Sequence, residues 1–469
     1  MSLTKFVGLL AGSTLTLTGV SYGAAEANND TTAQINQLKA EIAAMKAAQG
    51  DQWLTEQRAE QIRGVVQDVL ADSSTRSSFQ QAGGATSGYD NGFFLSSADG
   101  NYKLKINALE QVRFTWGNGY GAPETTSGEP SNNQWGFENR RTQVFFSGNV
   151  VDPSWKYLVG MAYDSQIDPY VRTPNAFEIL YAQVTKSMGN GFSVTVGQQN
   201  VAFTLQSQLF NAGSTQMGEY SLFEYAFGAG QQTGISAKWE SDMVRAMGGY
   251  YNAIFLPAGV SANSWNDQNN QGVALAGRAE VKLAGTWDQF SKESSFKGEE
   301  FGLMAGGGIF WQTSRETNTI PPYGFAPVGI TLDATAKFGG FNLIGQVIWQ
   351  DSYAFSPANV DQSTWGWNVQ GGAFVTEDLE VFGAWNYNNI SSTASNYLQV
   401  GANWYFAKNS MKMSVIGTIP VSSTATQQGG DYSASYGLLP TGVDFAGAAS
   451  PNGVVGDNFG LVVQLQLMF

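Results

Sequence analysis

The chain has 469 residues, with 56 Gly, 13 Trp, 19 Tyr and 29 Phe, and it contains neither Cys nor His. Only 13% of its residues are charged, and the formal net charge is −14. Without Cys and His there is no Ser-His-Asp triad, cysteine nucleophile, disulfide or histidine-based zinc site, so enzymatic catalysis is the weakest interpretation. No stretch of about 20 apolar residues follows position 25, and the high Gly and aromatic content therefore favours many two-faced strands over membrane-spanning helices.

The N-terminus has the features of a secretory signal peptide over residues 1–25. Lys5 provides a positive start, and an apolar run of small residues follows from Phe6 to Val20. Small residues around Ala25 and Ala27 offer two cleavage positions, one after each. The sequence therefore predicts export, and the absence of Cys excludes anchoring as a lipoprotein.

Residues 28–80 are predicted to form a periplasmic helical extension. Ile35, Leu38, Ile42 and Met45 recur at heptad spacing in a background rich in Ala, Gln, Lys and Glu. Two heptads are fewer than a coiled coil normally needs, so a coiled coil and a plain amphipathic helix both remain open. The Ser-, Gly- and Gln-rich residues that follow predict a linker, placed at 81–92.

From Tyr102 onward, apolar and polar residues alternate with a period of two. Sixteen segments show this pattern, which is typical of strands with one apolar and one polar face. They are 102–116, 137–149, 154–164, 177–186, 191–199, 232–240, 243–252, 272–283, 301–311, 328–338, 341–350, 365–375, 378–388, 397–406, 411–419 and 458–469. The predicted fold is all-β, a transmembrane antiparallel β-barrel of about 16 strands over residues 93–469. In the first segment Leu109 and Glu110 interrupt the pattern, which a bulge would explain.

The connections between these segments are alternately long and short. Residues 117–136, 165–176 and 200–231 are long, whereas Ser241-Asp242 and Gly339-Gly340 are bare turns. Such asymmetry is typical of outer-membrane barrels, with short turns at the periplasmic end and loops outside. Residues 284–300 do not fit, because a short turn is expected there, so either a strand is misplaced or this turn carries an insertion.

The C-terminus is the sharpest local signal. Leu465, Leu467 and Phe469 belong to an alternating terminal strand that ends the chain on an aromatic residue. This strand resembles the signal that the outer-membrane barrel assembly machinery reads, so that machinery and outer-membrane lipid are expected partners. The predicted location is the outer membrane of a double-membraned bacterium.

Four stretches carry a resemblance to a known family. They are Phe94–Gly100 with the following strand, Glu138-Asn139-Arg140-Arg141, Val196-Gly197-Gln198, and Met217–Gly234. Together they resemble the phosphate-selective porin O/P family, which implies a sixteen-stranded homotrimeric channel. The family commonly has basic residues where this chain has Asn200, Tyr220, Gln231 and Gln232, and the chain has no Lys or Arg between Lys186 and Lys238. The resemblance thus implies the channel, whereas this loop lacks the positive field that an anion filter needs.

Residues 200–231 are predicted to fold inward and form the constriction, the alternative being an exposed loop. Its neutral wall would come from Gln206, Gln208, Asn211, Gln216, Gln231 and Gln232, and Glu219 and Glu224 would favour cations. Alternation places charged residues on the lumen side of the barrel wall, because a Lys or Arg facing lipid at mid-bilayer costs about 2–4 kcal/mol. These are Lys103, Lys105, Arg113, Arg141, Arg245, Arg278, Lys282, Lys337, Glu178, Glu240, Glu280, Asp333 and Glu380. Arg140 and Arg141 are neighbours and are expected to face opposite sides, so at most one lines the pore.

The leading functional prediction is a passive channel for small hydrophilic solutes or ions. The alternatives are a phosphate- or anion-selective porin and a structural anchor that tethers the envelope to the cell wall through residues 28–80. An outer-membrane hydrolase is a third hypothesis, and a transporter with a plug domain is disfavoured because residues 28–90 are too short to plug a barrel. The sequence indicates no cofactor, no metal site and no nucleic-acid partner.

Overall fold

The structure is a computed structural model that describes residues 36–44, 63–64, 85–118, 133–165, 176–252, 273–312, 328–353, 361–390, 393–421 and 459–469. The chain divides into two compact units, Met1–Gly84 and Ala85–Phe469. In the first unit, residues 36–44 and 63–64 are helical. The predicted signal peptide and most of the predicted extension, including Ile35 and Met45, lie outside the described residues.

The second unit is a closed antiparallel β-barrel of sixteen long strands, which confirms the predicted fold class. In chain order they are β3 Lys103–Asn118, β4 Asn133–Val150, β5 Asp152–Asp164, β6 Phe177–Gly189, β7 Phe192–Asn200, β8 Gln231–Glu240, β9 Val244–Tyr251, β10 Ala274–Ala284, β11 Gly302–Gln312, β12 Val328–Lys337, β13 Phe341–Tyr353, β14 Asp361–Phe374, β15 Leu379–Ile390, β16 Thr393–Ala407, β17 Met411–Pro420 and β18 Phe459–Met468. Each strand pairs with the next, and β18 pairs with β3 from Phe459 opposite Asn118 to Met468 opposite Leu109. This last pairing closes the sheet and leaves none of the sixteen with an open edge.

A short hairpin precedes the barrel. Its strands β1 (Thr86–Tyr89) and β2 (Phe93–Ser96) pair with each other, and β2 also pairs with the first residues of β3. Because β18 ends opposite Leu109, β2 occupies the part of the β3 edge that β18 leaves unpaired. Strand β1 falls inside the predicted linker 81–92, where four residues with no apolar alternation gave no strand signal.

The two faces of the barrel differ as the alternation predicts. Ile330 and Leu332 are 45% and 60% exposed on the outer face of β12, whereas Thr331 and Asp333 between them are buried on the inner face. Aromatic residues gather on the outer face near both strand ends, with Trp116, Trp135 and Phe137 at one end. Aromatic belts at two levels with an apolar band between them are typical of barrels embedded in a bilayer.

The barrel has two ends, which we call the turn end and the loop end after the connections found at each. At the turn end Val151 alone joins β4 to β5, and Asn190-Gly191, 241–243 and 338–340 join the following hairpins. Residues 285–301 also connect two strands there, β10 and β11, and contain a 3₁₀ turn at Asp288–Ser291. The long segment at 284–300 is therefore an insertion in a turn and not a misplaced strand. Residues 201–230 connect β7 to β8 at the loop end.

Strand β3 has no bulge at Leu109 and Glu110, contrary to the sequence interpretation. The register with β18 is continuous through both residues, so the inward alternation runs unbroken from Lys103 to Arg113. The apolar Leu109 faces inward and is fully buried, and Glu110 shares the outer face with Val112. The pattern is broken because these two residues have the opposite polarity from their faces, and not because the backbone is irregular.

Candidate functional site

Residues 201–230, which we call the lumen loop, fold into the barrel and cross its interior. Within it, 3₁₀ turns occur at Gln206–Gln208 and Ala212–Ser214, and a short helix, α1, spans Leu222–Phe227. Ser221 caps α1, because its Oγ accepts a hydrogen bond from the backbone N–H of Glu224 at 3.1 Å. Ser followed three residues later by Glu is the sequence pattern of a capping box, so the local sequence determines where the helix begins.

Apolar contacts and glycines let the lumen loop approach the wall closely. The Phe203 ring packs edge-on against Phe310 of β11, with centroids 4.8 Å apart. A Cβ on Gly308 of β11 would collide with the backbone oxygen of Phe203, and one on Gly372 of β14 would collide with the Gln216 side chain. Glycine is therefore required at position 308, where the wall meets loop backbone, whereas at position 372 a larger residue would displace the Gln216 side chain.

Glu219 is the electrostatic anchor of the lumen loop. Its carboxylate lies 2.9 Å from Nε of Arg140 and 3.2 Å from Nη1 of Arg113, and it also accepts a hydrogen bond from Nη2 of Arg141. All four side chains are almost completely buried. Burial raises the pKa of Glu219, but Arg140, Arg141 and Arg113 together outweigh it and hold that pKa well below its usual range.

Two further acids complete this cluster. Asp164 of β5 lies 3.4 Å from Nε of Arg141 and 3.8 Å from Nη1 of Arg140, and Glu138 pairs with Arg113. Three arginines therefore meet three carboxylates, and the cluster is balanced in formal charge. Glu224 is also buried, and its Oε1 accepts a hydrogen bond from Thr204 at 2.9 Å. The two loop acids expected to attract cations are thus both buried in contacts with protein.

Arg140 and Arg141 both face the lumen, so the expectation that they face opposite sides is wrong. The β3–β4 pairing runs from Gln111 opposite Arg141 directly to Val112 opposite Asn139, and Arg140 is the extra residue of a bulge. A bulge lets two successive side chains leave the strand on one face. Alternation cannot reveal it, because the interruption is visible only once the partner strand is known.

A second cluster joins the lumen loop to the opposite wall. Arg278 of β10 forms a bidentate pair with Asp333 of β12, at 2.6 and 2.7 Å, and lies 2.8 Å from Glu280. Its Nη1 also donates to the backbone oxygen of Phe203 at 3.2 Å. Bidentate geometry fixes the guanidinium rigidly, so this arginine supports the loop rather than facing water.

A third cluster surrounds Glu380 of β15. The Gln216 amide donates to Glu380 at 2.6 Å, Asn403 donates at 2.9 Å, and the Tyr405 hydroxyl donates at 2.6 Å. Lys412 of β17 donates to the backbone oxygen of Thr215 at 2.6 Å. Lys412 and Arg140 were not among the predicted site residues; Lys412 alternates with two methionines in the sequence, which was the available signal.

Toward the turn end, the lumen side chains of the wall from β3 to β9 are more exposed than those of the wall from β10 to β18. Lys238 is 41% exposed, Glu240 34% and Lys103 32%, whereas Lys337 and Lys412 on the other wall are fully buried. Lys156 is also exposed, and Lys105 and Arg245 are partly exposed on the same wall. Glu138 and Glu178 also lie on the inner face of this wall and are partly exposed. Among the described residues of this wall, the exposed or partly exposed lumen side chains are therefore more often basic than acidic, although the whole chain is acidic.

The structure separates the predicted pore residues into groups. Lys103, Lys105 and Arg245 lie on the partly exposed wall, whereas Arg113, Arg141, Arg278 and Lys337 are buried in contacts. Gln206 is buried in the lumen loop, and Gln208 is partly buried there. Gln232 is buried on the inner face of β8. Gln231 is also buried and pairs in register with Asn200, whose side chain donates to the lumen-loop oxygen of Ser207. Leu465, Leu467 and Phe469 lie on the outer face, with the Phe469 ring 6.2 Å from Phe93 at the turn end.

Among the described residues, no group of three or more Asp, Glu, His or Cys side chains is arranged to hold a metal ion. Within that part of the chain, no helix has both the length and the apolarity needed to cross a membrane.

The solved structures to which the chain is similar share little sequence identity with it. No family model and no curated protein matches the chain, so the resemblance to the phosphate-selective porin O/P family stays a prediction. The "Anion-selective porin from Comamonas acidovorans" is 12% identical, covers 78% of this chain and 99% of its own, and gives a TM-score of 0.47. "Salmonella typhi OmpF complex with Daunomycin" is 14% identical with 82% and 100% covered, at 0.47. "Outer-membrane expressed OmpT of Vibrio cholerae" is 9% identical with 81% and 99% covered, also at 0.47.

Proposed function

We propose that this chain is an outer-membrane porin, a passive channel for small hydrophilic solutes or ions. The observation that carries the proposal is the inversion of polarity between the two faces of a closed barrel. The outer face is apolar with aromatic belts, and the inner face is polar and charged. A barrel of sixteen strands is wide enough to enclose an aqueous channel, and the partly exposed β3–β9 wall is where water and solute would pass.

The lumen loop makes the passage through the barrel narrow. Because the loop occupies part of the interior and is fixed by the Glu219 and Arg278 clusters, a rigid wall of side chains borders the remaining passage. The permeating species are therefore small and hydrated, and size is the first criterion of selection. The buried amides Gln206, Gln216 and Gln232 support the constriction from within.

A weak preference for anions is the second candidate property. The loop acids Glu219 and Glu224 are buried. The exposed or partly exposed lumen charges of the described residues are mainly basic, with Glu178 and Glu240 opposing them; the lysines are Lys103, Lys105, Lys156 and Lys238. Partly exposed charges in a water-filled passage bias the local ion concentration without creating a dehydrating filter. This reverses the cation preference expected from the loop acids, while the loop still lacks the basic residues of a phosphate filter.

Association with further copies is supported by a polar patch on the outer face. Glu110 of β3 accepts a hydrogen bond from Thr142 of β4 at 2.8 Å, and Asn139 donates to Thr142 at 2.9 Å. These residues interrupt an otherwise apolar band several residues above the turn end. Acidic residues facing lipid are unfavourable at this depth, so we propose that β3 and β4 face another copy in a homo-oligomer, with a trimer as the predicted form.

Export and membrane assembly belong to the same proposal. The signal sequence over residues 1–25 would deliver the chain to the periplasm, and the terminal strand with Leu465, Leu467 and Phe469 would be read during insertion. In the folded barrel the Phe469 backbone pairs with Ala108 of β3. The last residue thus takes part in barrel closure, which supports a role for this strand late in assembly.

The test is conductance of the purified, refolded protein in a planar bilayer. Discrete steps are expected in symmetric salt, and a KCl gradient should give a reversal potential close to zero, displaced slightly toward the anion value. Folding is checked independently by the heat-dependent shift in gel mobility that intact barrels show. Protein that is folded by this criterion but gives no conductance steps contradicts the pore function, and a strong cation preference contradicts the charge assignment alone.

A further inference from the structure

The insertion between β10 and β11 enters the barrel from the turn end. We call residues 285–301 the inward turn. Its backbone begins with Gly285 at φ +85°, a conformation that residues with a Cβ rarely adopt, and Gly298 has φ +82°. At its base the Trp287 indole donates to the backbone oxygen of Ser241 at 2.8 Å, and the Arg245 guanidinium lies over the Trp287 ring at 4.2 Å.

The tip of the inward turn meets the lumen loop inside the barrel. Glu293 accepts hydrogen bonds from the Gln216 backbone N–H at 2.7 Å and from the Gln206 amide at 2.5 Å. The Glu293 backbone N–H donates to the oxygen of Ser214 at 3.1 Å. A small cavity lined by residues of both segments, including Leu205 and Phe290, separates them nearby. Two segments that start at opposite ends of the barrel thus make direct contact at its centre.

One buried lysine holds the inward turn to the wall. The Lys337 ammonium donates to the backbone oxygens of Gln289, Lys292 and Ser294 at 2.7, 2.6 and 3.0 Å. An ammonium has three donors, and here each has a carbonyl of the same turn. Lys337 is fully buried at the end of β12, so its contacts fix the turn at three positions between residues 289 and 294.

Further contacts extend this attachment across the barrel. The Ser294 hydroxyl donates to Glu380 of β15 at 3.1 Å and lies 2.8 Å from the Tyr405 hydroxyl of β16. The Phe296 ring packs against Phe374 of β14 and Tyr405, with centroid distances of 5.3 and 5.0 Å. The inward turn therefore packs against the inner face of the wall formed by β12 to β16.

The two inserted segments account for the asymmetry of burial in the lumen. Toward the turn end, Lys337, Asn342 and Lys412 have 0% exposure on the β10–β18 side. On the other side at this level, Lys238 is 41% and Lys103 is 32% exposed. Farther from the turn end, the Glu219 cluster buries inner-face residues of β3 to β5 as well. Polar side chains on the inner face of a sixteen-strand barrel normally face water. Where the inward turn and the lumen loop meet, they face protein instead.

We propose that the inward turn is a second constriction, which closes the β10–β18 half of the lumen and confines permeation to the β3–β9 half. This inference rests on the proposed pore function and adds the segment that determines the width of the pore from the turn end. Residues 285–301 of the chain itself occupy that half of the lumen, so the passage is narrower than the number of strands alone implies. The lumen loop cannot produce this closure by itself, because the Lys337 and Phe296 contacts belong to the inward turn.

The primary test is a variant in which an Asn-Gly turn replaces residues 286–300, since this dipeptide closes two-residue hairpins. We expect its single-channel conductance to increase at least about twofold, because the second half of the wall becomes lined by water. A variant that is folded by gel mobility and conducts like the wild type overturns the second constriction. If neither protein conducts although both are folded, the proposed pore function fails instead.

A second measurement uses the absence of Cys from the chain. Thr335→Cys would place a single thiol against the inward turn, because Thr335 lines the same cavity as Phe290 and Glu293. Reaction of this variant with a small charged thiol reagent should be at least about tenfold slower than that of the control variant Thr195→Cys, on the partly exposed wall. Adding Lys337→Met should accelerate labelling at position 335 and leave position 195 unchanged. Rapid labelling at position 335 with Lys337 in place would contradict the docked turn.

Discussion

Replacing Glu219 by Gln tests whether the lumen loop is held by charge. The carboxylate neutralises three buried arginines, and Glu138 and Asp164 remain as their other partners. Removing one member of a buried ion cluster costs about 3–5 kcal/mol, because the remaining charge is left uncompensated. With two acids still present we expect the low end, a loss of about 3 kcal/mol in the free energy of unfolding, or about a hundredfold in the equilibrium constant.

The expected pH dependence follows from the lowered pKa of Glu219. An acid whose pKa is lower in the folded state contributes stability above its unfolded pKa of about 4.3, and this stability is lost as pH falls toward the folded value. The wild-type loop should therefore remain docked at pH 5. In stronger acid the difference in unfolding free energy between the wild type and Glu219→Gln should become small, because the side chain at position 219 is then uncharged in both.

The assay is urea unfolding of the refolded barrel in detergent, followed by tryptophan fluorescence and by gel mobility at pH 7 and at acidic pH. Glu240→Gln is the matched control, because Glu240 is a lumen acid paired with Lys238 but about one third exposed. An exposed pair contributes about 1 kcal/mol at most. If Glu219→Gln loses no more stability at pH 7 than Glu240→Gln does, the Arg113–Arg140–Arg141 cluster does not hold the loop and the reasoning is wrong.

Three further predictions address the loop contact, the outer face and the exposed charges. Gly308→Val should displace the backbone at Phe203 and cost about 1–3 kcal/mol by overpacking, whereas Gly345→Val on the outer face, where a Cβ meets open space, should change the urea midpoint little. Glu110→Lys should convert the oligomer to monomers in light scattering in detergent, because an ammonium cannot accept the Thr142 hydrogen bond and would be an unpaired charge in the proposed β3–β4 contact. Ile330→Thr on the outer face of β12 should leave the mass unchanged. A triple variant in which Gln replaces Lys105, Lys156 and Lys238 should have a reversal potential shifted toward the cation value. Lys186→Gln should cause no such shift, because the Lys186 side chain lies over the outer-face ring of Trp155 at 4.6 Å. An unaltered reversal potential in the triple variant would exclude these lysines as the source of the anion preference.

Strand number and orientation could be predicted from the sequence because each strand separates two environments. Every second residue of segments such as Val328–Lys337 faces outward, so polarity alone reports the face. Chain order then fixes the pairing, since each strand in an antiparallel barrel lies beside the next. The long connection at 284–300 was visible for the same reason, as a departure from a regular series of short turns.

The contents of the lumen could not be predicted in the same way. Whether Glu219 attracts a permeating cation or neutralises three arginines depends on contacts between residues far apart in sequence, such as Arg113 and Glu219. The bulge at Arg140 is likewise a property of two strands together.

The sequence by itself determined the barrel, its two faces and the positions of its turns, because these follow from local alternation between an apolar phase and a polar interior. Only the tertiary structure decided how the interior is filled. The lumen loop and the inward turn enter from opposite ends and meet at Glu293, where Gln206 and Gln216 satisfy its carboxylate. Such contacts are set by the distance between chain segments in space, and a linear pattern contains no information about that distance.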